Sequence, residues 1–204
     1  MTSSDRTQPN ATHLSITAPS PWFCRFAPLI HQGGRVLDVA CGGGRHARYL
    51  LDLGHGVTMV DRDVRPVMDL VGDPRTEIIE ADLEIGNPSP LAGRRFAAIV
   101  VVNYLYRSLI PHLIDHLDHG GVFIYETFAR GNERFNRPRN PDHLLKSGEL
   151  LESVRGKLQV IAYEHGIVDE GFLPGVKQRI CAVKTQPAPD REDGEPIPRR
   201  LFSP

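Results

Sequence analysis

An apolar run that carries a carboxylate breaks into three consecutive glycines in Val36-Leu37-Asp38-Val39-Ala40-Cys41-Gly42-Gly43-Gly44-Arg45. The β-branched residues before the break read as a buried strand, and Arg45 to Leu53 has helical character. A strand that passes to a helix through such a turn needs glycine, because the chain bends sharply and lets a ligand approach its backbone. In a doubly wound sheet that ligand sits outside the carboxyl ends of the strands. Gly42-x-Gly44-x-x-Ala47 also satisfies the dinucleotide fingerprint with Ala in the last place. The alternative is a structural strand-to-helix turn with no ligand.

Further apolar runs follow at regular intervals. Val57–Val60, Glu77–Ala81, Ala97–Val102 and Val122–Tyr125 read as strands two to five, the fourth fully buried. Leu109, Ile110, Leu113, Ile114 and Leu117 recur as one apolar helix face. Gly54 and Gly120-Gly121 stand where helix C-caps are expected. Strand and helix alternate, which predicts an α/β fold with a parallel sheet covered on both faces. Leu158–Glu164 and Val176–Val183 are two strands joined by a loop alone, so the last strand is expected to be antiparallel.

The chain has 204 residues, with 24 Lys and Arg against 25 Asp and Glu. That length suits one domain, and the near-zero charge disfavours a nucleic-acid partner held by the whole surface. Residues 1–19 and 185–204, the latter with five prolines, read as flexible tails, which leaves a domain over 20–184. Cys24, Cys41 and Cys181 have no CxxC spacing and fit a reducing cytoplasm. Neither a secretory signal nor a membrane span is visible, and a monomer or small homo-oligomer is expected.

Three acidic residues decide between ligands. A phosphate-binding turn has no use for the anion of Asp38, which repels a pyrophosphate, whereas a cofactor bearing an ammonium and a sulfonium does. Asp61 ends strand two, 17 residues after Gly44, where a carboxylate accepts ribose hydroxyls. Asp82, in Ala81-Asp82-Leu83, can accept from an adenine amino group while Leu83 covers the ring. The alternative for Asp61 and Asp82 is a helix N-cap.

On Asp38–Gly44, Val60-Asp61, Ala81-Asp82-Leu83 and the antiparallel last strand, the chain resembles the class I S-adenosylmethionine-dependent methyltransferases over roughly 20–184. Ala40 departs from the glycine that this family often has. The resemblance implies a doubly wound, Rossmann-like, seven-stranded sheet in the order 3-2-1-4-5-7-6. It implies that Asp38, Ala40, Cys41, Gly42 and Gly44 hold the methionine end of S-adenosylmethionine, Asp61 the ribose, and Asp82 with Leu83 the adenine, with Arg62 also binding the cofactor. Asn103 and Tyr104 follow strand four beside the expected methyl group. The stretch Ile124–Glu133 with Arg137-Pro138-Arg139-Asn140-Pro141-Asp142 is similar to small bacterial tellurite-resistance-like methyltransferases.

The implied activity is methyl transfer to a small-molecule acceptor. Its rivals are an NAD(P)-linked oxidoreductase, an RNA or protein methyltransferase, and a non-catalytic cofactor-binding protein. Asn103-Tyr104-Leu105-Tyr106 is not the Asn-Pro-Pro-Tyr motif of exocyclic-amine methylation. Tyr106 and Glu126 are the candidate general bases. Alternatively, the tyrosines pack on the sheet edge and Glu126 pairs with a nearby arginine. Arg130, Arg134, Arg137 and Arg139 against one Glu133 form a loop suited to an anionic substrate, with Arg130 the catalytic candidate; the alternative is a solvated loop. The backbone N–H of Cys41, not its thiol, is expected to serve the cofactor. Trp22 either covers the cofactor or fills the core. His112, His116 and His119 lie off the apolar stripe of their helix, so no metal site is expected.

Overall fold

The computed structural model describes residues 16–85, 90–169, 174–185 and 195. The two expected tails lie mostly outside these residues. Seven strands form one sheet: β1 (Arg35–Val39), β2 (Gly56–Asp61), β3 (Thr76–Glu80), β4 (Phe96–Val102), β5 (Leu117–Phe128), β6 (Gln159–Val168) and β7 (Gly175–Val183). Their order is β3-β2-β1-β4-β5-β7-β6. All pairs from β3 through β5 are parallel, and β7 runs antiparallel to both β5 and β6. This is the α/β doubly wound architecture and strand order implied by the sequence.

All seven residues of β4 are buried, as a central strand covered on both faces requires. Side chains alternate between the faces. Val36, Val100, Ile124 and Cys181 meet α1 (Pro21–Phe26) and α2 (Arg45–Asp52) through Trp22, Phe23 and Leu50. Leu37, Ile99, Phe123 and Ile180 face α3 (Ile110–Asp115) and α4 (Glu149–Val154) through Leu113, Ile114, Leu150 and Val154. Each such burial contributes about 1.5–3 kcal/mol. The same alternation places Asp38, two residues after Val36, on the α1–α2 face. Glu126, two after Ile124, and Lys177, four before Cys181, lie on that face too.

Trp22 takes the core alternative: it is buried, and its indole N–H donates to the Ile180 carbonyl at 3.4 Å. Ser20 caps α1 by accepting from the Phe23 N–H at 3.4 Å, and Pro21 supplies a first helical residue that needs no donor. Gly54 lies just past the end of α2 with φ +88°, as expected of a C-cap glycine. Gly120 and Gly121 do not cap a helix, because α3 already ends at Asp115. They sit inside β5, where the pairing with β4 shifts between Phe96 and Ala98. There Gly120 has φ +79°, and a Cβ on Gly121 would lie 2.8 Å from the Asp118 carbonyl, so a bulge uses both glycines.

Candidate functional site

The strand order reverses between β1 and β4, so the crevice of the sheet opens at their carboxyl ends. The glycine-rich turn forms one wall. Ala40, Gly42 and Gly44 all adopt positive φ, at 53°, 54° and 71°. A methyl added at Gly42 would stand in open space, whereas one at Gly44 would lie 2.6 Å from Val67 Cγ1. The two glycines therefore serve different ends: Gly44 permits close packing inside the protein, and Gly42 keeps the outer edge of the turn bare. The Cys41 N–H, expected to serve a ligand, is already donated to the Val60 carbonyl at 3.2 Å. The Cys41 thiol is buried, and burial followed by the charges of Asp38 and Asp61 pushes its pKa up, so it stays protonated.

Asp38 lies at the floor of the crevice, 1% exposed. The nearby Ala47 N–H favours its charged form, yet its Oδ2 has no hydrogen-bond partner among the described residues. Burial pushes its pKa up to about 7, against the opposing pull of that N–H and of Arg45. A buried carboxylate with a bare oxygen is set to receive a cation or a donor. Asp61, half-buried at the end of β2, accepts from the Gly42 N–H at 2.8 Å and the Asp63 N–H at 3.1 Å. Its carboxylate is thereby held against the turn with lone pairs to spare. Arg62 beside it is exposed.

Asp82 is exposed, Leu83 half-buried, and Asp82 Oδ1 accepts from the Glu84 N–H at 2.9 Å. Tyr104 and Tyr106 come to the same place from the end of β4. The Tyr106 hydroxyl donates to the Glu84 carbonyl at 3.5 Å. The Tyr104 hydroxyl is driven to a higher pKa by burial and then by Glu84, with Asp82 contributing. The structure thus gathers Asp82, Leu83, Tyr104 and Tyr106 into one side of the crevice.

The other side is a buried polar cluster of which the sequence pointed only to Glu126 and Asn103. Glu126 is 4% exposed. Its Oε1 pairs with the Lys177 ammonium and its Oε2 accepts from Ser20 Oγ at 2.5 Å. The partner is a lysine, not the arginine weighed as the alternative, and both oxygens are engaged. Lys177 also donates to Asn103 Oδ1 at 3.1 Å. The Ser20 N–H donates to His46 Nε2 at 3.2 Å. Burial pushes the His46 pKa down to about 3, with Arg45 and Lys177 adding to the effect, so its ring is neutral with the proton on Nδ1. Arg45 reaches the Ala18 carbonyl at 3.2 Å. Lys177, Ser20, Arg45 and His46 escaped sequence reading. The available signal was parity, since Lys177 shares its strand face with Cys181 and Val183.

The arginine-rich segment is a loop with one short helical turn, Asn132–Arg134. It folds around buried Asn132, whose Nδ2 donates to the Asn136 and Pro138 carbonyls at 3.2 and 3.1 Å. Arg130, Arg134, Arg137 and Arg139 are exposed. None of their guanidinium groups makes a hydrogen bond or ion pair to another described residue. Arg107 ties the following segment down through Glu149 at 2.5 Å and the Leu144 carbonyl at 2.9 Å. Among the described residues no group of three His, Cys, Asp or Glu is arranged to hold a metal, and no helix is long and apolar enough to cross a membrane.

No protein-family model and no curated protein matches the chain. Its fold does match solved structures. TehB from Haemophilus influenzae superposes with a TM-score of 0.67 at 20% identity, over 83% of this chain and 64% of that one. The chain therefore spans less than two thirds of TehB. The glycopeptide N-methyltransferase MtfA complexed with S-adenosylhomocysteine gives 0.55 at 21% identity, over 79% and 87%. The Burkholderia thailandensis 1,6-didemethyltoxoflavin-N1-methyltransferase, with 1,6-didemethyltoxoflavin and S-adenosylhomocysteine bound, gives 0.57 at 18%, over 81% and 76%. At such identities the likeness establishes a shared fold.

Proposed function

We propose that this chain is an S-adenosylmethionine-dependent methyltransferase acting on a small molecule. The observation that carries the reading is the bare, buried oxygen of Asp38 beside a glycine turn whose outer edge is open. A buried carboxylate is stabilised by a cationic partner, and a pyrophosphate at the same place meets like charge. When bound, S-adenosylmethionine supplies a methyl carbon activated by a sulfonium.

The residues present fit that cofactor. Asp38 faces its cationic methionine end, and the turn from Ala40 to Gly44 lets it lie against the backbone. Asp61, with Arg62 at its side, takes the ribose hydroxyls. Asp82 accepts from the adenine amino group, with Leu83 and Tyr104 against the ring. Asn103 borders the methyl position. Solved methyltransferases of this fold that hold S-adenosylhomocysteine support the choice of cofactor.

The protein's contribution to the rate is alignment and exclusion of water, and alignment supplies about 7–11 kcal/mol in well-oriented systems. Arg130 and its neighbours Arg134, Arg137 and Arg139 offer unpaired guanidinium forks to an anionic acceptor. Tyr106 stands nearest to a general-base role. Glu126 is assigned to holding Lys177, because both of its oxygens are taken. Free thiols at all three cysteines accord with a cytoplasmic location.

Calorimetric titration with S-adenosylmethionine and with NADPH tests the reading. Binding of S-adenosylmethionine is expected, weakened about tenfold or more by Asp61→Ala, which removes two charge-assisted hydrogen bonds. Binding of NADPH alone overturns the proposal.

A further inference from the structure

We propose that Lys177, held by Glu126, determines acceptor specificity by locking the Asn103 side chain so that it offers N–H donors, and not its carbonyl, to the methyl acceptor. The inference rests on the methyltransferase reading and adds the class of atom that is methylated.

An ammonium can only donate. The Asn103 atom 3.1 Å from Lys177 Nζ is therefore the carbonyl Oδ1, and the orientation of the amide is settled by chemistry. Lys177 is itself fixed. One N–H goes to Glu126, one to Asn103, and the ammonium sits 5.1 Å from the centroid of the Phe128 ring. Ser20 closes the remaining Glu126 oxygen. The Asn103 backbone is held as well: its N–H donates to the Glu126 carbonyl at 2.8 Å and its φ is +60°. Sheet register gives the place. Val101 pairs with Val39 and Val102 with Glu126, so Asn103 stands just past the end of β4, beside the glycine turn, at the mouth of the crevice. With Oδ1 turned to a lysine in the interior, Nδ2 is the end of the amide left for a ligand. It has no partner among the described residues.

A nucleophile that meets this amide must spend one lone pair on the methyl carbon and keep another for the Asn103 N–H. An oxygen or sulfur atom has two or more lone pairs, whereas an amine nitrogen has one. The geometry points to a hydroxyl, carboxylate or thiolate acceptor. It disfavours an amine, whose N–H groups would need the carbonyl that Lys177 has taken.

The test uses the full chain saturated with S-adenosylhomocysteine at about pH 8, where pyridine is neutral, and two ring probes followed by amide NMR. Pyridine can only accept a hydrogen bond, and pyrrole can only donate one. Pyridine is expected to bind more tightly by about fivefold, the worth of one hydrogen bond, and to shift the Asn103 side-chain amide resonance. Asn103→Asp keeps an acceptor for Lys177 but removes the donor, and should abolish the preference. Lys177→Met combined with Glu126→Gln removes the pair without stranding a buried charge, and should bring the preference below about twofold. A preference for pyrrole, a preference retained at full size in a folded variant, or no binding of either ring to the saturated protein overturns the inference. If the double variant does not fold, Asn103→Asp alone decides. Failure of S-adenosylhomocysteine to bind the unmodified protein sinks the methyltransferase reading instead. Cofactor binding with a flat probe ratio sinks only this inference.

Discussion

Replacing Asp38 with Asn should make the ligand-free protein more stable above neutral pH and at the same time remove its affinity for the cofactor. Asp38 is buried with one oxygen bare, and burial lifts its pKa from the usual 3.8 to about 7. The folded chain therefore holds the proton more tightly than the unfolded chain does. Stability is greatest below the unfolded value and falls as pH rises toward 7, where the native carboxylate ionises without a full partner. Between about pH 5 and pH 8.5, linkage at this group lowers the stability of the unmodified protein by about 3 kcal/mol. Asp38→Asn has no such slope. Its carbonyl can still face the Ala47 N–H, but its NH₂ inherits the bare position, at a cost of about 1–3 kcal/mol that does not vary with pH. Urea unfolding of both proteins at the two pH values isolates the effect, because all other titrations cancel in the double difference. The expected result is a relative gain for the variant of about 3 kcal/mol from the lower pH to the higher. An equal loss of stability at both values would refute the reasoning, since Asp38 would then be a satisfied structural carboxylate. Calorimetry on the same variant should show loss of S-adenosylmethionine binding.

Two further substitutions separate packing from ligand approach. Gly42→Ala meets no atom within 4 Å, so it should cost only the left-handed strain of about 1–2 kcal/mol while weakening cofactor binding. Gly44→Ala adds a contact at 2.6 Å with Val67 Cγ1 and should lower stability by about 3 kcal/mol. Equal destabilisation in thermal melts would contradict this division. Arg107→Ala removes the hydrogen bonds to Glu149 and the Leu144 carbonyl and should cost about 1–3 kcal/mol. Limited proteolysis should then cut faster between residues 140 and 148; an unchanged cleavage rate would show that the segment is held by other contacts.

The parallel half of the sheet was legible because its signals are local. Val36–Val39 and Ala97–Val102 are runs bounded by turn residues, and an acidic residue stands at or just past the carboxyl end of each of β1, β2 and β3. The bulge at Gly120-Gly121 was not, because a glycine pair after an apolar helix face reads equally well as a cap. It is a bulge only because β5 begins at Leu117 and must pass Phe96 before it pairs again at Ala98. The partners of Glu126 were hidden for a related reason. Its partners come from residues 51 positions later and 106 earlier in the chain, and one-dimensional spacing carries no trace of them. The Cys41 N–H shows a third kind of blindness: a turn that looks generous with donors had already given this one to a neighbouring strand.

The position of β7 has a consequence for how the chain is made. β7 follows β6 in the chain, yet it lies between β5 and β6. Among the described residues β6 pairs with β7 alone, and β7 alone pairs with the outer edge of β5. A nascent chain released as far as residue 174 therefore carries an open β5 edge, an unpaired β6 and a Glu126 without its lysine, because Lys177 has not yet emerged. This side of the sheet closes by insertion of β7, and the Glu126–Lys177 pair then acts as a key. A slip of one residue in that insertion turns the ammonium to the opposite face and leaves a bare carboxylate in the interior.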